Sequence, residues 1–545
     1  MEVKMQNNLK GSFVTTGNIH CAGSAYSEKP LSLLFGMCHG AMEFNNRFFL
    51  YGDRLIRVNL NWIRDYILTM KGFRYTSPEL SSFMDLLLEK QHKKGFFYEI
   101  IAPVAGDMHS GRPFTAEGQQ WQISPDECCY FEEGSKFGLC RLELEADIEY
   151  LMCEGVFMIW QATGDDSYLE KNLPRLEKGL RYITSDPLRW DPHYQLAKRP
   201  RTLDTWDFLD SHRSQFDRAI HPDDPMGIFH GDNTGLFNAK LLMAKMYQII
   251  GNDTLAEQHK NEAAALRQRI MKHLWNGRFF SHFLPLTPVD YGVDEKYQLS
   301  LSNSYALNRN ILTLSEKLSV IETYRSLREK YKGELDDFRD MEPPYPIFHS
   351  KKAGEYVNGA NAPFVAGQLA LGAFESGEEE YGADILTRIG KKMIQDGKIA
   401  FLYDWEGKDI GGGPRCWSGA EVMNALTTGL AGVVDNSKLF RDITISPRFA
   451  AAGEDHAYVR LEYPISGAFT EYEWRSFDGQ NKVEMTLKST HDSCKVRMYV
   501  PKGKQPHRAW CNDCETGFET EKIANSLYAV IPAVKGGNTL RFEFK

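Results

Sequence analysis

The chain has 545 residues, of which 42% are hydrophobic, 12% aromatic and 25% charged, enough to bury a large core without staples. With 64 Lys and Arg against 73 Asp and Glu the formal net charge is -9, which gives no electrostatic footprint for nucleic acid. No window reaches the ~18 apolar residues of a membrane helix, Met1 to Ser12 lacks a signal peptide's apolar stretch, and the ten cysteines form no regular framework, so a soluble, cytoplasmic protein is expected.

Residues 1–55 are Gly-rich and aromatic, with Arg47-Phe-Phe-Leu-Tyr51 reading as a short strand, and are expected to form an N-terminal β-rich segment. Helical periodicity dominates residues 56–435. Asn61-Trp-Ile-Arg-Asp65 opens a helix that ends near Phe73. Leu142 to Thr163 carries apolar residues at three- and four-residue steps, stops at Gly164-Asp165-Asp166, and is followed by a second helix from Tyr168 to Ile183. The same hairpin shape recurs at Leu236 to Ile250 with Leu255 to Leu274, and at Ala362 to Phe374 with Tyr381 to Ile394. Each pair joins a largely apolar helix to a more amphipathic one, as expected when inner helices are buried all round and outer ones face water on one side. The spacing is irregular and the loops between pairs are long and aromatic-rich. A closed helical toroid with functional loops around one mouth is therefore expected rather than an open solenoid of fixed period.

After about residue 440 the texture becomes β. Ile443-Thr-Ile445, Ala457 to Tyr463, Thr470 to Trp474, Lys482 to Leu487 and Lys495 to Val500 alternate apolar and polar residues, separated in part by turns such as Asp478-Gly479. Residues 436–545 are expected to form a C-terminal antiparallel β-sandwich. Cys511-Asn-Asp-Cys514 lacks a second ligand pair for zinc and reads as a turn between two strands.

No Walker loop, dinucleotide fingerprint, HExxH or nucleophile-elbow serine is present. What remains is a set of Trp- and Gly-punctuated loops rich in Asp, Glu, Arg and Asn. Sugars are recognised by such side chains, because ring faces stack on indoles and hydroxyls need charged hydrogen-bond partners. Trp62 offers a stacking face, with Arg64 and Asp65 beside it. Asp147 lies where an apolar helix needs a partner or a wet cavity for a carboxylate. Asp207, in Trp206-Asp207-Phe208, stands between aromatics that should desolvate it, raise its pKa and keep it protonated for acid catalysis. Asn358 belongs to Glu355-Tyr-Val-Asn358-Gly359, and Asp404-Trp405-Glu406 precedes a Gly-rich loop that leads to Trp417.

Together these segments resemble motifs of the six-hairpin glycosidases. Trp62-Ile-Arg64-Asp65 is similar to a segment of bacterial glycogen-debranching glucosidases, and Trp206-Asp207-Phe208 to the Trp-Asp-Phe of trehalases. Tyr356-Val-Asn358-Gly359 resembles a turn of related glucosidases and phosphorylases. Trp417-Ser418 with Glu421 resembles the start of the last inner helix in debranching enzymes, and the C-terminal part is similar to that of rhamnosidases. The resemblance makes the expected toroid an (α/α)6 toroid, and it implies an exo-acting, inverting glycoside hydrolase without metal or redox cofactor, acting on a small carbohydrate. In it Asp207 is the general acid, and Trp62, Arg64, Asp65 and Asp147 hold the terminal sugar. Trp206, Asn358, Trp405 and Trp417 are further substrate contacts.

At the base the chain departs from this pattern. The closest frame, Phe401-Leu-Tyr-Asp404, puts phenylalanine where the family has a glutamate, which leaves Asp404 or Glu406 as base, with Glu355 as a further candidate. A non-catalytic sugar-binding relative is one rival reading. An epimerase or phosphorylase on the same toroid is another, the former using a His pair that would include His230.

Overall fold

The computed structural model describes residues 18–21, 30–103, 115–116, 119–120, 128–132, 136–203, 219–348, 351–490, 492–534 and 537–545. The described helices are α1 (Pro30–Asn45), α2 (Ile63–Phe73), α3 (Ser82–Glu89), α4 (Ile148–Thr163), α5 (Asp166–Ser185), α6 (His230–Ile249) and α7 (Asp253–Leu274). They continue with α8 (Ser302–Ala306), α9 (Leu314–Tyr331), α10 (Pro363–Phe374), α11 (Glu379–Asp396) and α12 (Arg415–Asn424), the last running on into a wider π turn, Ala425–Leu430.

Burial separates two kinds of helix. Every residue of α10 is buried, whereas α11 is buried along one stripe that includes Tyr381, Ile385, Leu386, Ile389 and Met393. The α4–α5 pair repeats this contrast. Local chemistry sets the ends. Gly164 closes α4 in the left-handed region at φ 74°, and the Asp165 carboxylate then accepts from the Ser167 backbone to start α5. Thr313 and Glu316 form a reciprocal capping box on α9.

The even-numbered helices pack in sequence: α2 on α4, α4 on α6, α6 on α8, α8 on α10, α10 on α12, and α12 back on α2. The odd-numbered helices lie against them, with α5 on α4 and α6, α7 on α6, and α9 and α11 on α10. Two glycines permit close approaches between the even-numbered helices. A Cβ at Gly367 of α10 would lie 2.4 Å from the Glu421 carbonyl carbon of α12, and one at Gly235 of α6 would lie 2.3 Å from the Tyr150 ring of α4.

The N-terminal stretch differs from expectation. Residues 30–45 form α1, packed on α12, α11 and α2, rather than β structure. Its buried Leu31, Leu34, Phe35, Cys38, Ala41 and Met42 follow helical spacing, but the exposed apolar Leu33 and Phe44 blur that stripe in the sequence. The expected strand is present as β2 (Asn46–Tyr51), paired with β3 (Arg54–Asn59) in a hairpin. β1 (Asn18–Cys21) joins the C-terminal sheet by pairing with residues 457–460.

Short two- and three-stranded sheets stand among the helices, and from residue 433 onward the strands make a β domain of two sheets. They are β4 (Val433–Asp435), β5 (Asp442–Ile445), β6 (His456–Tyr463), β7 (Ala468–Phe477), β8 (Lys482–Ser489), β9 (Ser493–Val500), β10 (Pro506–Cys511), β11 (Cys514–Thr516), β12 (Glu519–Ile523), β13 (Ser526–Val534) and β14 (Asn538–Phe544). One sheet has the order β1-β6-β7-β8-β14-β10-β11 and the other β4-β5-β9-β13-β12. β6 alternates strictly between buried and half-buried residues, the pattern of a strand with one face on a core. β5 and β9 run parallel, which corrects an all-antiparallel expectation. Cys511 and Cys514 end and begin paired strands, as a turn there requires.

The two parts are bolted together by buried polar groups. Arg448 donates to Glu375 at 2.8 Å, to the Gly429 carbonyl and to Tyr528, while Glu379 accepts from Ser526 and Tyr528. Among the described residues no helix is long and apolar enough to cross a membrane.

Candidate active site

The first turns of α2, α4 and α6 bring a cluster of buried charges together. Trp62 precedes α2, bridges to Ile100 and packs half-buried on a small core of Ile100, Ala102, Cys140 and Leu142. Its ring thereby directs the helix start, and Arg64 and Asp65 follow, both buried. Arg64 donates Nε to Asp147 Oδ2 at 2.5 Å and Nη2 to Oδ1 at 2.8 Å, and it also pairs with Glu145. Asp147 stands at the N-terminal cap of α4 rather than inside it. Burial alone would raise the Asp147 carboxyl, but Arg64, Arg199 and Arg141 outweigh that and hold it below the ordinary range.

A second layer was not singled out from the sequence. Arg141 lies 3.5 Å from Glu99 and 3.1 Å from Glu149, with all three buried. Burial pushes the Glu99 carboxyl up to about 7 against the pull of Arg141, Arg64 and the Leu142 amide, and its Oε2 accepts no hydrogen bond. Arg199 reaches Asp232 of α6 at 3.4 Å. Asn233 pins the same loop, exchanging hydrogen bonds with Ala197 at 2.8 and 2.9 Å. The signal for Glu99 was a lone carboxylate after Phe96-Phe97-Tyr98.

Below this cluster lies a small cavity of about 20 Å³ lined by Arg64, Asp147, Tyr150, Tyr305, Arg309 and Trp417. Arg309 donates to the Gly231 carbonyl at 3.0 Å and to Thr234 Oγ1 at 2.9 Å. A polar chain runs behind its wall: Trp417 Nε1 donates to Tyr305 Oη at 2.7 Å, Tyr305 donates to Glu421 at 3.2 Å, and Lys71 meets Glu421 at 2.8 Å. Gln368 donates to the other Glu421 oxygen at 2.6 Å. Burial raises the Glu421 carboxyl, with Lys71, Gln368 and Tyr305 opposing.

Of the residues expected at the site, Arg64, Asp147 and Trp417 thus line one cavity, with Asp65 and Trp62 alongside. Trp206 and Asp207 lie outside the described residues. Asn358 is fully buried and its amide serves the backbone, donating to Tyr345 and Lys351 carbonyls and accepting from the Tyr345 amide at 2.9 Å, which corrects its reading as a sugar contact.

Asp404, Trp405 and Glu406 stand elsewhere. Asp404 Oδ1 accepts from the backbone of Glu406 at 3.0 Å and Lys408 at 2.8 Å, which makes it the cap of its own turn. Trp405 and Glu406 line an outer cleft against α11, together with Lys391 and Gln395. Glu355 is exposed and caps a turn at Lys352. Phe401 points inward, its ring centroid 5.9 Å from Trp417 and 5.3 Å from Phe364. Asp404, Glu406 and Glu355 are therefore not brought to the Arg64 cluster.

His230 is buried, bonded through Nε2 to Ser300 Oγ at 3.0 Å and stacked on Phe280. Among the described residues no group of three or more His, Cys, Asp and Glu side chains is arranged to hold a metal ion.

No protein-family model matches the chain, and no curated protein does. Solved structures do. An α-L-rhamnosidase from Dictyoglumus thermophilum superposes with a TM-score of 0.59 at 12% identity, covering 97% of this chain and 50% of its own. A GH78 family rhamnosidase of Bacillus sp. GL1 gives 0.57 at 12% identity over 90% and 43%, and an α-L-rhamnosidase from Aspergillus terreus 0.54 at 10% over 97% and 50%. The chain spans about half the length of the rhamnosidases it matches. In fold, therefore, this protein is similar to six-hairpin glycosidase-type enzymes, and its structural neighbours are glycoside hydrolases.

Proposed function

We propose that this protein is an inverting, exo-acting glycoside hydrolase built on an (α/α)6 toroid, with α1 to α12 as its catalytic body and the strands from β4 onward as an accessory β-sandwich. The circuit of contacts from α2 through the even-numbered helices back to α2 supports the toroid. The observation that carries the function is the buried Arg64–Asp147 pair beside Trp417 and Tyr305 at one cavity. Fixed charges there exchange hydrogen bonds with a hydroxyl at the edge of a terminal sugar, since about 20 Å³ takes a hydroxyl group and not a ring. Tyr305, which lines the cavity, is held in turn by Glu421 and Lys71, so the wall that would face the sugar is fixed.

In this reading Asp207 protonates the leaving glycosidic oxygen. Water attacks the anomeric carbon from the opposite face, and a second carboxyl takes the water proton, giving a product of inverted anomeric configuration. For that second role we take Glu99 as the candidate among the described carboxyls: it is buried 3.5 Å from Arg141, close enough to the Arg64 cluster to feel its charge, its Oε2 accepts no hydrogen bond, and burial raises its carboxyl towards neutrality. The two carboxyls of such a pair stand roughly 6.5–9.5 Å apart. A panel of aryl glycosides, beginning with aryl α-L-rhamnosides because of the neighbours' activity, tests this. Wild type should release the aryl group from at least one substrate, and Asp207→Asn should abolish that release while leaving binding intact. Asp207→Asn turning over at the wild-type rate would remove Asp207 from the mechanism.

A second reading is favoured by Phe401, which packs against Trp417 where the resemblance places the base. In that reading the protein binds a saccharide without cleaving it. Binding of a panel member by wild type with no product after prolonged incubation would select it.

A further inference from the structure

We propose a second saccharide-binding site, for a neutral mono- or disaccharide, in the outer cleft between the Asp404–Gly407 turn and α11, with Trp405 as its stacking platform. The cleft encloses about 520 Å³, within the range of small-ligand sites. Trp405 is 44% exposed, unusual for an indole, yet it is held firmly. Its Nε1 donates to the Gly359 carbonyl at 2.7 Å, and the Arg339 guanidinium covers one face at 4.9 Å. Arg339 is itself fixed by Asp336 at 3.1 Å and Glu342 at 3.0 Å. A ring locked at its nitrogen and backed on one face loses little freedom when a ligand stacks on it.

Asn361 supplies an independent observation. It lines the same cleft and is only 2% exposed. Its Nδ2 donates to the Asp404 carbonyl at 3.3 Å, while its Oδ1, also buried, accepts no hydrogen bond from the protein. A buried acceptor without a partner is costly, and a ligand hydroxyl satisfies it. The walls carry Lys391 and Gln395 on one side and Glu406 on the other. Mixed charge disfavours an anion or cation and fits a polyhydroxylated neutral molecule, whose hydroxyls both donate and accept. Phe401 and Phe364 pack against Trp417, and Trp417 lines the central cavity, so an aromatic wall backs that cavity on the side of the residue 401–406 loop.

The test is saturation-transfer NMR and tryptophan fluorescence on the full chain with maltose, cellobiose and L-rhamnose at tens of millimolar. At least one probe should bind, and Trp405→Ala should weaken that binding at least tenfold. Gln395→Ala, an exposed change that does not touch the fold, should weaken it about twofold to fivefold. Asp147→Asn should leave it unchanged, which separates this site from the central one. Binding by none of the probes overturns the proposal. So does a saccharide titration that Trp405→Ala leaves identical to wild type, whereas loss of one binding component in Trp405→Ala and of the other in Asp147→Asn supports two separate sites.

Discussion

Arg64 grips Asp147 through two parallel hydrogen bonds of 2.5 and 2.8 Å, although the residues are 83 positions apart and both are buried. The fork joins the start of α2 to the start of α4 and fixes the charge geometry around the central cavity. Removing one partner leaves an uncompensated buried charge, and the guanidinium cannot be replaced by an ammonium without losing the fork. Arg64→Ala should therefore destabilise the fold by about 3–5 kcal/mol in urea unfolding. Arg64→Lys should be milder in stability yet still lose saccharide binding.

Glu99 makes stability depend on pH with a definite sign. Its carboxyl ordinarily titrates at 4.5 and is pushed up to about 7 by burial, so the folded chain holds a proton there that the unfolded chain has released. That contribution is complete below about 4.5, falls as pH rises towards about 7, and amounts to about 3 kcal/mol across the window. Glu99→Gln should flatten this slope in denaturation series at several pH values. In the hydrolase reading it should also remove the titration near neutrality from the pH profile of kcat/KM.

Gly367 has a narrower role. A methyl group there would meet backbone atoms of Glu421 and Val422, which cannot swing aside. Gly367→Ala should cost at least ~1–3 kcal/mol by forcing α10 and α12 apart. Thermal unfolding of the purified variant measures it.

The 404–406 turn gives a contrasting expectation. Asp404→Ala should cost about 1 kcal/mol because two backbone amides lose their acceptor. Asp404→Asn and Glu406→Gln should leave turnover of a competent glycoside within about twofold of wild type, since neither carboxylate reaches the Arg64 cluster. A large loss of kcat in either variant would return the base to this turn.

The helices that could be read from the sequence were those with uninterrupted spacing, such as α4 and α11, because burial follows a 3.6-residue period regardless of partners. α1 was obscured because Leu33 and Phe44 are apolar yet exposed and blur its buried stripe, and α8, at five residues, is too short to show a period. Arg64, Asp65, Asp147 and Trp417 stood out through short motifs, and the fold brings Arg64, Asp147 and Trp417 to one cavity. The Arg64–Asp147 pairing itself depends on how α2 and α4 pack, and no local pattern carries it. Glu99 was missed although the desolvation argument used for Asp207 applies equally to a carboxylate following Phe96-Phe97-Tyr98. Asp404 was misread for the opposite reason. Its neighbours are aromatic, but an aspartate two residues before a free amide is drawn into capping its own turn.

The central claim is that the Arg64–Asp147 cavity binds a terminal sugar for inverting hydrolysis. The most direct test is NMR of the first sugar released from a competent aryl glycoside, recorded before mutarotation equilibrates the anomers. The account predicts an initial product of the anomeric configuration opposite to the substrate, formed by wild type and not by Asp207→Asn. Initial release of the same anomer as the substrate would contradict it.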